Sequence, residues 1–414
     1  MFCVINKKIC DKLVIFVIMT SVSAGIFIVG AKRTPFCKYG GLFRELPASL
    51  AFAAAAKNAM LSANIDAKQI ESTVVGNAYY LSQCDGGKTP RYCGLFSGVP
   101  VDRPALGVSK ACGTGLQAIV NASIDILTGM SSISLTGGTE IMSALPLMVR
   151  GVRFGVALGS SYKLEDHIQR QIQDSYCELT RQEITEGISR KYAIKRDAVD
   201  DYTLISHQRW IKAHKENVFK EEMATVNVNL KGKEILVEED QLLQQYLVKQ
   251  DLDSLSPLEN GSIVTEGNSS APADGAVALI LANEEATKRH GLRPLARIAG
   301  WATVGVHPTE AGSGAAAAVR HVLESCQKTV ADIDLYEINE TFAVETLATI
   351  KELNLDSSKV NVHGGALAAG HPVAATGARM AAHLAYQLSD GDKRAVAASS
   401  CWGGQGVAIV LESV

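Results

Sequence analysis

Apolar positions along the chain fall into two matching runs separated by a long polar stretch. Residues 26–31 are continuously apolar and predict a buried strand, left through A-K-R-T-P-F. Residues 47–63 are alanine-rich with helical spacing, and a connection at 65–70 leads into E-S-T-V-V-G-N-A, a strand closed by a Gly-Asn turn. Residues 104–110 lead to Cys112 and a helix whose Leu116, Ile119 and Val120 share one apolar face. A strand at 133–135 ends at Gly137-Gly138. Residues 142–260 are polar and charged, with helical runs such as 196–216, and predict a lid or loop domain inserted between core elements. Alternation returns at 275–282. From 295 the pattern restarts with a strand at 295–300, a helix at 314–326 and a strand at 335–339. A helix at 341–353, a strand at 360–362, a glycine-rich turn, a helix at 375–388 and strands at 394–398 and 407–411 complete it.

Strands alternating with helices twice over predict an α/β fold made of duplicated domains, with helices packed between and around mixed sheets. The domain boundaries read as an N-terminal extension at 1–24, a first domain at 25–141 plus 261–290, an inserted loop domain at 142–260, and a second domain at 291–414. Lys7, Lys8, an apolar run at 13–19 and the small Ser23 and Ala24 resemble a weak signal peptide, though the run is too short to span a bilayer. Because the first strand of the fold follows at once, residues 1–18 read as an extension, and a start at Met19 would give a compact N-terminus.

Composition narrows the function classes. A chain of 414 residues, 47% hydrophobic and 20% charged, has the balance of a globular enzyme with a large core. A net charge of −3 with scattered Lys and Arg gives no electrostatic footprint for nucleic acid. Nine cysteines, an odd number with no C-x-x-C pair, argue against a disulfide framework and a structural zinc site, and fit a reducing compartment.

Four glycine-bordered points follow the ends of expected strands, where open α/β sheets place ligands. The first is Cys112 in C-G-T-G. At a helix N-terminus its thiol pKa would fall; the plainer alternative is a small buried cysteine. The second is Asn339 in N-E-T-F-A, which could equally be a helix N-cap. The third is H-G-G-A-L-A-A-G-H-P from His363, where His371 could be a turn residue. The fourth is C-W-G-G-Q-G at Cys401, where the glycines could form a tight hairpin. The spacing of His363, His371 and the cysteines matches no familiar metal-ligand set, so no metal site is assigned.

In this order the four motifs resemble the thiolase family, over about residues 25–412. Within it, A-K-R-T-P-F at Ala31, V-R-F-G at Val152 and K-L-E-D at Lys163 resemble the mitochondrial, degradative branch. The resemblance implies a thiolase-like fold and an acyltransferase that cleaves 3-ketoacyl-CoA with CoA in fatty acid β-oxidation. Coenzyme A is then a substrate rather than a bound cofactor, and Cys112 takes the acyl group with His371 as its base. Cys401 moves a second proton, to CoA sulfur in cleavage or from the acetyl methyl in condensation. His371 with a water held by Asn339, and the backbone N–H groups of Cys112 and Gly403, form two oxyanion holes. Ser270 in T-E-G-N-S-S matches the pantetheine-contacting serine. The resemblance also implies acyl-CoA and CoA as partners, a homodimer or homotetramer without stable membrane insertion, and the mitochondrial matrix, with the cytoplasm as alternative. Three places depart from the family pattern: Glu183-Ile184-Thr185-Glu186 for M-T-A-E, Leu242-Leu243 for an R-P pair, and Ala311 for a methionine, a change that would enlarge the acyl pocket. A biosynthetic acetoacetyl-CoA thiolase and a non-catalytic acyl-CoA-binding paralogue are the alternatives.

Overall fold

A computed structural model describes residues 17–21, 25–241, 248–259, 261–388 and 391–414. Among the described residues eleven strands join into one sheet. Its path runs Leu335–Ile338, Arg394–Cys401, Gln405–Glu412, Ala296–Gly305, Ile26–Arg33, Ala273–Asn283, Ile133–Ile141, Ser72–Gly76, Ala105–Val108. The seam lies between Ala296–Gly305 and Ile26–Arg33, which share only the pairs Ala296–Ile28 and Arg297–Phe27. Leaving aside the edge strand Ala105–Val108 and the off-path strands Val17–Ser21 and Cys37–Lys38, each half has the same order outward from that seam: its first strand, its last, its third, its second. In both halves the first two pairings are antiparallel and the third is parallel. The duplication expected from the repeated pattern is therefore present in the topology.

Two helices, Thr114–Leu127 and Val373–Gln387, occupy equivalent positions in the halves and pack against each other and the inner face of the sheet. Period-2 alternation divides the strand Ala273–Asn283 between two cores. Val277, Leu279 and Leu281 face the central helices; Ala276, Ala278 and Ile280 face the helix Ala48–Ser62. A Cβ on Gly138 would stand 1.9 Å from the Ala374 carbonyl oxygen, so only glycine lets the helix Val373–Gln387 lie this close to the strand.

Several expectations need correction. Gly137-Gly138 does not end a strand; the strand continues from Ile133 to Ile141. Residues 360–362 form no strand: Val360 makes a single bridge to Tyr336, and Asn361 turns the chain at φ 47°. The approach to Cys112 contains a strand, Ala105–Val108, and a helix, Thr89–Phe96, precedes it. Val17–Ser21, inside the segment read as an extension, pairs antiparallel with Ala296–Gly305; the readings on 1–16 and 22–24 lie outside the described residues, as does the Leu242-Leu243 departure.

The chain between Ile141 and Ala273 folds into elements of its own, including helices Arg181–Lys191 and Arg196–Lys215 and the hairpin Val226–Leu230 with Lys233–Val237. Arg33 ties it to the first strand of the sheet: Nε donates to Glu222 at 2.6 Å, and Nη1 and Nη2 donate to Asp240 at 2.7 and 2.9 Å, all buried. Nη1 also donates to the Thr34 carbonyl at 3.4 Å, so each guanidinium nitrogen has a partner, which offsets part of the cost of burying the charge. Among the described residues no helix is long and apolar enough to cross a membrane.

Candidate active site

Cys112 sits in a tight turn, Ala111–Gly113, between the strand Ala105–Val108 and the central helix Thr114–Leu127. Ala111 takes a left-handed φ of 45°. The Thr114 hydroxyl closes the turn by donating to the Ala111 carbonyl at 2.6 Å and accepting from the Lys110 amide at 2.8 Å. Cys112 is 3% exposed. The helix-end argument expects a lowered pKa, but burial dominates and pushes it up, against the opposing pull of the Arg181 charge and the Thr341 hydroxyl.

His371 precedes the other central helix. Its backbone amide donates to the Ala271 carbonyl at 2.8 Å, fixing the loop to the segment that carries Ser270. Its Nδ1 lies 2.7 Å from the Thr376 hydroxyl, which itself donates to the Pro372 carbonyl at 3.1 Å. With its proton committed there, the hydroxyl accepts from Nδ1–H, and the lone pair is assigned to Nε2. Nε2 is buried and has no hydrogen-bond partner. Burial, then the charges of Arg181 and Arg379, hold the imidazole down to about 3, so it is a neutral base near pH 7.

Cys112 and His371 line one cavity of about 140 Å³, together with Tyr79, Gln171, Arg181 and Trp402. Cys401, at the end of its strand, lies behind Gly113: a Cβ there would come within 2.4 Å of its sulfur. Burial and the nearby Cys112 push the Cys401 thiol up to about 12. Asn339 follows the strand Leu335–Ile338 and donates from Nδ2 to Thr341 at 3.2 Å and Ser399 at 3.3 Å, while its buried Oδ1 has no partner. Thr341 links it to Cys112, its hydroxyl 3.6 Å from the Cys112 sulfur. Asn339 is therefore no helix N-cap; that place before Ala343–Leu353 belongs to Phe342. Gly403 lies in the turn Trp402-Gly403-Gly404 at φ 87°. Ser270 donates from both its amide and its hydroxyl to the Thr341 carbonyl, at 3.0 and 3.1 Å.

The chain matches two family models, the N-terminal domain of thiolase over residues 26–285 and the C-terminal domain of thiolase over residues 292–413. It belongs to the thiolase family. The mitochondrial 3-ketoacyl-CoA thiolase of Homo sapiens is 39% identical over 94% of this chain and 98% of its own length. A probable acetyl-CoA acyltransferase of Staphylococcus epidermidis is 33% identical over 93% and 98%. The crystal structure of the human mitochondrial enzyme superposes with a TM-score of 0.90 at 39% identity, covering 94% of this chain and 99% of that one. The Bacillus anthracis acetyl-CoA acetyltransferase superposes with a TM-score of 0.91 at 30% identity, covering 95% and 100%.

In this thiolase the departures from the family pattern have structural uses. Glu183 closes a capping box with Thr180 at the start of the helix Arg181–Lys191. Glu186 accepts from the Ile263 amide at 2.7 Å. Ala311 packs with Ile184, Ile188, Tyr202 and Val344 and does not line the cavity at Cys112. Sequence reasoning missed Thr376, one helical turn after His371, and Arg181, which stands in a polar stretch with no pattern to mark it. Among the described residues no group of three or more His, Cys, Asp or Glu is placed to hold a metal ion.

Proposed function

We propose that the chain cleaves 3-ketoacyl-CoA with CoA, releasing acetyl-CoA and a shortened acyl-CoA, as a step of fatty acid β-oxidation. The observation that carries this is a neutral imidazole with a free Nε2 in the cavity of Cys112, with a second buried thiol across Gly113. His371 takes the Cys112 proton as the sulfur attacks the keto carbon. The C2–C3 bond then breaks, leaving the acyl group on Cys112 and the electron pair on the acetyl-CoA enolate. Cys401 gives its proton to that carbon and recovers one from the CoA thiol, whose sulfur displaces Cys112 from the acyl group. One thioester replaces another of similar energy, which is why a thiol rather than a hydroxyl suits the nucleophile.

Negative charge grows on a substrate oxygen in both steps. The unpaired Asn339 Oδ1 suits a water that donates one hydrogen to it, leaving the water's other hydrogen for that oxygen beside His371. The amides of Cys112 and Gly403 form the second such site, and Ser270 contacts pantetheine. The word mitochondrial in the names of the relatives supports a mitochondrial location, and within it our reading is the matrix. A further structural neighbour, human mitochondrial 3-ketoacyl-CoA thiolase in complex with CoA, supports CoA as a substrate. Phe154 and Leu158, fully exposed on the insert, support a homodimer or homotetramer. The domain boundaries 25–141 with 261–290, 142–260 and 291–414 complete the reading.

The deciding experiment is steady-state thiolysis with mass spectrometry of the enzyme. Cys112→Ala abolishes turnover and the acyl adduct; an adduct formed at another cysteine overturns the assignment.

A further inference from the structure

Arg181 is the cation of the catalytic cavity, and the fold gives it little to do for stability. It stands at the first position of the helix Arg181–Lys191, where the positive end of the helix dipole disfavours a basic side chain. Its guanidinium lies 5.5 Å from the Trp402 ring and reaches the Tyr79 hydroxyl, both neutral partners. It makes no ion pair among the described residues. The carboxyl that faces it, Glu345, has a buried Oε1 with no hydrogen-bond partner. Burial, against the opposing pull of the Arg181 charge and the Thr185 hydroxyl, pushes Glu345 up to about 8, so near neutral pH it neutralises the guanidinium only in part.

The rest of the cavity points the same way. Its volume of about 140 Å³ is small beside the roughly 300–1,000 Å³ of ordinary ligand pockets. Beside the apolar Ala78, Ala111, Val373 and Trp402, the lining carries the polar groups of Tyr79, Ser109, Gln171 and Arg181, which a long aliphatic chain would desolvate without replacing any hydrogen bond. We infer that the cavity selects a short 3-ketoacyl-CoA whose acyl chain ends in a carboxylate, with Arg181 as the specificity-determining residue. The planar guanidinium, held over Trp402, presents a fork suited to two parallel hydrogen bonds to a carboxylate. The phosphates of CoA offer the same chemistry, but the pantetheine arm holds them far from the thioester, whereas Arg181 shares its cavity with Cys112 and His371. This inference rests on the thiolase reading above and narrows its substrate.

The test is steady-state cleavage by the full-length protein of 3-ketoacyl thioesters of equal length, ending in a carboxylate or a methyl group, each as the CoA and the pantetheine thioester. The expected result is a kcat/KM ratio favouring the carboxylate by about ten- to a hundredfold, the effect of one charge-assisted hydrogen-bonded pair. Arg181→Gln brings that ratio close to one, mainly through KM, and Arg181→Lys restores part of it. Absence of CoA-dependent cleavage for every chain overturns the thiolase reading and this inference with it. Cleavage without carboxylate preference in the unaltered protein leaves the thiolase reading standing and overturns only this one; that measurement needs no variant to fold. An Arg181→Gln loss equal for both endings, and absent with pantetheine thioesters, assigns the residue to the CoA phosphates and also overturns it.

Discussion

In the first half of the sheet the connection from Ile133–Ile141 to its antiparallel partner Ala273–Asn283 takes the chain through residues 142–272. In the second half the matching connection, from Arg394–Cys401 to Gln405–Glu412, is only Trp402-Gly403-Gly404. The scaffold around them is otherwise alike. Each half leads the chain into a central helix, and two residues ahead of each helix stands a reactive group: Cys112 before Thr114 and His371 before Val373. Because the two helices pack on one another, duplicating one fold brings two equivalent positions to one cavity, and sequence divergence then makes one a thiol and the other an imidazole. The unequal connections divide the remaining work. The short turn leaves Cys401 at a strand end against Gly113, and the long one delivers Arg181 over Trp402.

If the equivalent positions are chemically unequal, removing them has unequal consequences. His371→Asn removes the base and lowers kcat by about 10²- to 10⁴-fold. It also blocks transfer of a simple acyl group from an acyl-CoA to Cys112, which mass spectrometry reads directly. Cys401→Ala blocks turnover but leaves that single acylation largely intact, because the departing CoA thiolate, unlike a carbanion, can leave without the proton that Cys401 would supply. Equal loss of acylation in both variants would mean that the two groups do not have separate roles.

The packing that brings the halves together gives the next effect. Gly138→Ala drives a methyl group into the Ala374 carbonyl, and overpacking of this kind costs about 3 kcal/mol when backbone must move. A Cβ on Gly87 meets nothing, so Gly87→Ala stays within about 0.5 kcal/mol. Thermal melting of the two variants side by side checks the contrast; a Gly138→Ala melting temperature equal to that of Gly87→Ala would show that the close approach is not what joins the halves.

That glycine also marks where sequence reading stopped. Apolar strands and alanine-rich helices announced themselves because periodicity is a local property, and their repeated order exposed the duplication. Gly138 read as the end of a strand because its reason, the helix 236 positions later in Ala374, is not local. Ala105–Val108 escaped notice for the same cause: its parallel partner is Ser72–Gly76. Residues 360–362 looked extended, but the Asn361 side chain bonds both the amide and the carbonyl of Ile338, at 2.8 and 2.9 Å, and turns the chain there. Cys112, His371, Asn339 and Cys401 were legible as members of glycine-bordered motifs. Arg181 was not, because only the folding of the insert carries it to them.

The smallest effect separates the histidine's chemistry from its placement. Thr376→Val nearly conserves volume in a fully buried position but removes the hydroxyl that accepts from the His371 Nδ1–H. The imidazole then loses its preference for the tautomer with its lone pair at Nε2, and the lost hydrogen bond predicts a fall of about tenfold in kcat with KM little changed. Because His371 is held down to about 3, the base is available throughout pH 5–7 and kcat/KM carries no acid limb from it near 6.5. The same shift has a sign for stability. Between about 3 and 6.5 the unfolded chain binds a proton at this site that the folded chain does not, so the site disfavours folding increasingly as pH falls through that window. A pH–rate profile and a pH series of melting curves for the parent and Thr376→Val check both statements. An inflection near 6.5 in the parent profile would mean that His371 faces water, and the cavity assignment would have to be redrawn.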